Sequence, residues 1–163
     1  MKCELYNDSF ENAKKYLNEK AQLIIADLPY NLGKNAYASN PQWYKDGDNT
    51  NGESEFAGKK FFNTDEGFKI NNFFDFCARY LKKDPTEKVE RGKSSGAPAM
   101  IVFCAFEQIQ MVIDEGRKHG LINSYPIFFI KNYSAQVLKA NMKIVGATEY
   151  AVVLYRNRLP KFN

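Results

Sequence analysis

Short apolar runs alternate along this chain with segments whose apolar residues recur every three or four positions. Cys3-Glu4-Leu5-Tyr6 predicts a short strand. Asp8 or Ser9 can then cap a helix over about 9–19, with Phe10, Ala13, Tyr16 and Leu17 at helical spacing. Residues 21–26 (Ala-Gln-Leu-Ile-Ile-Ala) predict a buried strand that ends in a turn at Asp27 and Pro29. Ile70, Phe73, Phe74, Cys77 and Leu81 form the stripe of an amphipathic helix that ends near Lys82-Lys83, before Pro85. Met100 to Ala105 predicts a second strand, and Phe106, Ile109, Val112 and Ile113 a helix that Gly120 stops. Tyr125 to Ile130 and Thr148 to Tyr155 predict two more strands, the last followed by the polar turn Arg156-Asn157-Arg158. Strands alternating with helices imply an α/β sheet with helices on its faces. Ligands of such sheets bind beyond the carboxyl ends of the strands, where Asp27 to Tyr30 fall.

Two stretches break the pattern. From Asn31 to Gly67 the chain is polar, with Tyr37, Trp43, Tyr44, Phe56, Phe61 and Phe62 scattered through it. A loop of that length is uncommon in a compact domain unless it has a function. A surface insertion and a loop that orders on a ligand both fit its composition. Residues 84–98 are charged and rich in Gly, Ser and Pro, and read as a flexible connection within one domain spanning 1–163.

Composition narrows the class. With 44% apolar and 26% charged residues over 163 positions, the chain reads as an ordinary globular domain with a sizeable core. It contains no apolar run of about 18 residues and no apolar leader after Met1, so the expectation is a cytoplasmic protein that crosses no membrane. Cys3, Cys77 and Cys104 are far apart, and the latter two sit in apolar stretches as small buried hydrophobes. With no CxxC and one histidine, His119, expected to be solvated near a helix end, no metal site is expected. The net charge of +4 permits nucleic-acid binding without demanding it. Among the aromatics, Phe73, Phe74, Phe128 and Phe129 read as core.

Asp27-Leu28-Pro29-Tyr30 carries the candidate chemistry. An exocyclic base amine is a poor nucleophile because its lone pair is delocalised into the ring. A carboxylate and a carbonyl that accept its hydrogens draw the nitrogen toward tetrahedral geometry. A base taken out of the duplex also needs an aromatic face to replace its stacked neighbours. Asp27 offers the carboxylate, Leu28 a carbonyl held extended by the following Pro29, and Tyr30 the ring. The plain alternative is a strand-to-loop turn in which Asp27 accepts backbone hydrogen bonds.

The wider stretch resembles a known family. Glu4 to Ser9, a helix, and then Leu23-Ile24-Ile25-Ala26-Asp27-Leu28-Pro29-Tyr30-Asn31-Leu32 is similar to the opening of the DNA N6-adenine and N4-cytosine methyltransferases. The likeness is to their permuted group, in which the catalytic tetrapeptide comes first. The family's usual tetrapeptide is Asp-Pro-Pro-Tyr, and Leu28 departs from it. Pro126 to Asn132, a polar loop, and Thr148 to Tyr155 resemble the family's later strand, substrate-side loop and Glu-bearing return strand. Leu159 to Asn163 resembles the ending of phage and prophage members. The resemblance implies a partial Rossmann-like methyltransferase sheet flanked by helices, S-adenosylmethionine as cofactor and DNA as substrate, as in restriction-modification enzymes. It implies that Asp27, Leu28 and Pro29 hold the amino group, that Tyr30 stacks on the flipped base, that Asp8 lies near the cofactor's adenine together with Asp27, and that Lys131 and Asn132 face the target base.

One family part is missing. No glycine-rich loop follows a strand and opens a helix: Gly92, Gly96, Gly116 and Gly120 do not have the spacing. The chain therefore reads as the catalytic-side portion, with a second chain or a further half supplying the cofactor loop. By itself it is expected to bind S-adenosylmethionine weakly or not at all. The other reading is a non-catalytic remnant that binds DNA or a partner.

Overall fold

A computed structural model describes residues 3–29, 68–91, 93–132, 136–139, 144–146 and 148–162. Its main sheet contains β1 (Leu23–Asp27), β2 (Ala99–Cys104), β3 (Asn123–Ile130) and β6 (Thr148–Tyr155), in the order β1-β2-β6-β3. β1 runs parallel to β2, and β6 is antiparallel to both β2 and β3. β1, β2 and β3 consequently all point the same way, and their carboxyl ends share one end of the sheet. Two helices, α1 (Ile70–Tyr80) and α2 (Ile109–Lys118), complete the α/β fold. A separate hairpin, β4 (Gln136–Lys139) with β5 (Ile144–Gly146), lies within the stretch read as a polar loop. Its residues lack the apolar alternation that would announce strands.

Register explains the core. Met100, Val102 and Cys104 lie opposite Leu154, Val152 and Tyr150, so these positions share one face. On that face Met100, Val102, Cys104, Val152 and Leu154 pack with Phe73, Phe74 and Cys77 of α1 and Val112 of α2. Gly116 of α2 permits this approach, since a Cβ there would stand 3.2 Å from both Leu154 methyls. Arg156, just past β6, donates to the carbonyls of Ala78 and Lys82 and so satisfies the carboxyl end of α1. The opposite face carries the row Ile25, Ile101, Val153 and Tyr125 across all four strands. Ile25 is 63% exposed there, whereas Val153 is fully buried. Pro126 is tolerated because β3 is an edge strand.

Several expectations need correction. Residues 3–6 form no strand: no ladder partner stands beside them among the described residues, and Tyr6 stacks instead on Tyr16 at 3.9 Å. The helix expected over 9–19 is a six-residue 3-10 turn, Phe10–Lys15, whose Ser9 Oγ accepts from the Glu11 amide. Its Phe10 packs on Phe73 and Phe76 of α1, but Asn18, Glu19 and Lys20 give nothing apolar to extend it. Phe128 and Phe129 are not core. β3 lies outermost, and they remain 55% and 41% exposed. His119 ends α2 as expected but is not solvated: its Nδ1 lies 2.9 Å from the Glu115 carbonyl, and its ring sits beside Phe74. The described residues of 84–98 carry no helix or strand, yet they are tied to the carboxyl-terminal segment. Asp84 accepts from the amides of Asn157 and Arg158, Ser94 and Ser95 donate to the Leu159 carbonyl, and Ala97 pairs with Pro160. Buried Phe73, Phe74, Cys77 and Cys104 match their expected places.

Candidate active site

β1 is apolar and β-branched because it runs beside β2, and the ladder carries Asp27 to the carboxyl end of the sheet opposite Phe103. Asp27 falls on the exposed set of the alternating strand, with Leu23 and Ile25. Burial pushes the Cys104 thiol up to about 11, and the Asp27 carboxylate nearby adds to the shift. Leu28 extends the ladder by one bond, its amide donating to the Phe103 carbonyl at 3.0 Å. Its side chain turns into the core and is 4% exposed. A buried leucine therefore anchors the position where the similar family usually has proline. The Pro29 carbonyl accepts from Gln108 Nε2 at 3.0 Å. Beside it opens a cleft of about 200 Å³ lined by Leu28, Pro29, Phe68, Ile70, Gln108 and Met111.

The other candidate residues are distributed unevenly. Tyr30, like the loop at 31–67, lies outside the described residues. Asp8 stands before the 3-10 turn, where its Oδ1 accepts from Asn12 Nδ2 and the Ser9 amide, each at 2.8 Å. The Asn12 bond first, then the Ser9 bond, hold its carboxyl below the ordinary carboxylate value. Local capping thus accounts for the chemistry of Asp8 in this structure. Lys131 and Asn132 follow β3 and so lie at the same end of the sheet as Asp27. Three strand spacings, roughly 14 Å, separate β3 from β1. Lys131 pairs with Glu149 of β6.

Two features at this end had no place in the sequence reading. Gln108 was one, although Ala105-x-x-Gln108 ahead of an apolar stripe has the Gln spacing of a capping box, a legible signal for a helix start. The other is aromatic. Phe106 and Phe128 both pack on Tyr150, at 5.5 and 5.7 Å, and Phe129 stacks on Phe103 at 5.3 Å. Rings from β2, β3, β6 and the turn before α2 thereby gather at one end. No group of three His, Cys, Asp or Glu residues suited to a metal occurs among the described residues.

Gly96 and Gly120 adopt φ of +65° and +83°, the latter in the turn after α2, and Gly116 is inside α2. Among the described residues no glycine loop joins a strand to a helix. The turn after β2 has Ala105 to Gln108 in that place.

No protein-family model matches this chain, and no curated protein matches it. Among solved structures it is similar to the M1.HpyAVI–SAM complex, at 16% identity and a TM-score of 0.50, over 91% of this chain and 49% of that one. A second M1.HpyAVI crystal structure gives 15% identity and a TM-score of 0.49, over 90% and 51%. The likeness to the first of these shows the fold alone, a mixed α/β sheet flanked by helices. The chain spans about half the length of the M1.HpyAVI chains it matches.

Proposed function

We propose that this chain is the catalytic-side portion of a DNA methyltransferase that uses S-adenosylmethionine to methylate an exocyclic amine of adenine or cytosine. The observation that carries this reading is the position of Asp27-Leu28-Pro29: at the carboxyl end of β1, with the carboxylate on the exposed side, Leu28 anchored in the core and the Pro29 carbonyl held by Gln108. In this reading the amine donates one hydrogen bond to Asp27 and one to the Leu28 carbonyl, which localises its lone pair. Asp27 can also take up the proton that the methylated nitrogen sheds. Tyr30 stacks on the extruded base, and Lys131 with Asn132 bounds the substrate across the sheet end. S-Adenosylmethionine, the ligand of the M1.HpyAVI complex, supplies the methyl group. This chain offers it Asp8 and Asp27, and a further half or second chain supplies the glycine loop. The order of parts, tetrapeptide first, supports the permuted group.

The test is nucleoside analysis of unmodified DNA incubated with S-adenosylmethionine and the complete protein. N6-methyladenine or N4-methylcytosine supports the reading, and 5-methylcytosine contradicts it. The absence of a glycine loop among the described residues favours a second reading for the chain alone, a non-catalytic module that binds DNA or a partner. That module would retain DNA affinity but show no transfer even when complemented.

A further inference from the structure

We infer that Gln108 is a positioning residue that ends the β1–β2 ladder a rung early and so keeps the Leu28 carbonyl available as an acceptor. The inference rests on the proposed function only for what that carbonyl then accepts. Strand register carries the first step. β1 and β2 pair in parallel from Leu23 opposite Ala99 to Asp27 opposite Phe103. Parallel rungs are evenly spaced, and each strand donates at every second residue. The Ala99 amide donates to the Gln22 carbonyl at 3.2 Å, and at the other end of the series the Leu28 amide donates to the Phe103 carbonyl at 3.0 Å. Continued by a step, the series would take the Ala105 amide to the Leu28 carbonyl.

The Ala105 amide donates instead to Oε1 of Gln108 at 2.9 Å. Ala105 and Gln108 are both buried, so the amide needs a protein acceptor, and the side chain supplies it. With that need met, nothing draws the Leu28 carbonyl into the ladder. Among the described residues, no backbone amide donates to it. The same side chain also steadies that carbonyl. Nε2 of Gln108 donates to the Pro29 carbonyl at 3.0 Å. The Leu28–Pro29 peptide is thereby held from both sides. Leu28 is fixed by its amide bond to Phe103 and its buried side chain, and Pro29 by its ring, which sets φ, and by Gln108. An acceptor meant for a reacting amine has to be both unoccupied and preorganised, and one buried amide meets both needs. Asp27, the other acceptor of the proposed site, precedes this peptide in the ladder and faces the exposed side of β1.

Two variants separate the roles. Gln108→Leu keeps much of the side-chain volume but leaves the Ala105 amide without its acceptor. In Gln108→Glu a carboxylate still accepts from that amide, and only the bond to Pro29 is lost. NMR couplings across hydrogen bonds read this wiring in the chain itself. In wild type the Ala105 amide nitrogen should couple to the side-chain carbonyl carbon of Gln108 and not to the backbone carbonyl carbon of Leu28. A coupling to Leu28, or none to Gln108, overturns the inference whether or not either variant folds. In Gln108→Leu the coupling should move to Leu28 as the ladder gains its rung, and a folded variant in which it does not move overturns the inference. The second readout is methyl transfer by the complete protein to unmodified duplex DNA. Gln108→Leu should lower kcat about tenfold, as for the loss of one hydrogen bond to the reacting amine, with KM for DNA unchanged. Gln108→Glu, which keeps the ladder open, should fall between Gln108→Leu and wild type. Wild-type kcat in Gln108→Leu, or equal losses in the two variants, overturns the positioning role. If wild type transfers no methyl group while the couplings behave as expected, the proposed function fails and the early end of the ladder stands.

Discussion

Replacing Leu28 by the proline usual in the similar family should destabilise this chain, and by more than replacing it with alanine. Leu28→Ala removes a side chain that is 4% exposed and packed in the main cluster. Buried leucine-to-alanine changes cost about 2–5 kcal/mol, depending on the cavity left. Here the vacated space joins the neighbouring cleft, where water can enter, which places the cost at about 2–3 kcal/mol. Leu28→Pro loses most of the same packing and also the amide bond to the Phe103 carbonyl. An acceptor left unpaired adds about 1–3 kcal/mol. Proline's stiffening of the unfolded chain returns only about 0.4–1 kcal/mol. Asp27, the residue before it, is already extended in β1 and adds no strain. At the middle of each range the sum is about 3–4 kcal/mol for proline. With a urea slope of about 2 kcal/mol/M, the midpoints should fall by roughly 1–1.5 M for alanine and 1.5–2 M for proline. Urea titration followed by circular dichroism reads both. A proline variant as stable as wild type, or more stable than the alanine variant, would refute the reasoning that Leu28 anchors the tetrapeptide through both its side chain and its amide.

Three further outcomes are expected. Burial pushes Cys77 up to about 12 and Cys104 up to about 11, against ordinary values of 9.0, while Cys3 is exposed. A disulfide reagent at pH 8 should therefore label one thiol in the native chain and three in denaturant. Because the unfolded chain ionises these two thiols first, stability should fall as pH rises above about 9 and go on falling to the folded values. Alkaline denaturant titrations with a flat midpoint from pH 8 to 10.5 would contradict this. Gly116→Val should cost about 1–3 kcal/mol by thermal melting, since even its Cβ meets Leu154 at 3.2 Å; a neutral result would mean that α2 moves away freely. Calorimetry of the isolated chain with S-adenosylmethionine should show binding no tighter than millimolar, because a few hydrogen bonds of about 0.5–1.5 kcal/mol each barely offset ligand immobilisation. A micromolar constant would place a complete cofactor site within this chain.

What the sequence made legible follows from how strongly each signal repeats. The α1 stripe and the four sheet strands stand within a residue or two of their expected bounds, because buried faces impose period 3.6 or period 2 on several residues at once. Residues 3–6 have the local look of a strand, but a strand exists only with a partner, and pairing is not local. The β4–β5 hairpin lacks the apolar alternation that announces strands. The exposure of Phe128 and Phe129 depends on strand order, which places β3 outermost; apolar residues alone cannot reveal an edge. At the site, Asp27 to Pro29 could be read because a strand, a carboxylate and a proline follow one another in the chain. Gln108 could not, since its partner Pro29 lies 79 positions away and only the parallel pairing of β1 with β2 brings them together.

Methyl transfer itself is the most direct measurement. The complete protein, and the same protein carrying Asp27→Ala, should be incubated with unmodified duplex DNA and S-adenosylmethionine labelled in its methyl group. The wild type should place label on an exocyclic amine. The variant, with an unchanged circular dichroism spectrum, should lose transfer by at least a thousandfold, on the order of 4 kcal/mol of transition-state stabilisation. Near-normal turnover by Asp27→Ala would contradict the assignment of this carboxylate, and with it the reading of the tetrapeptide as catalytic.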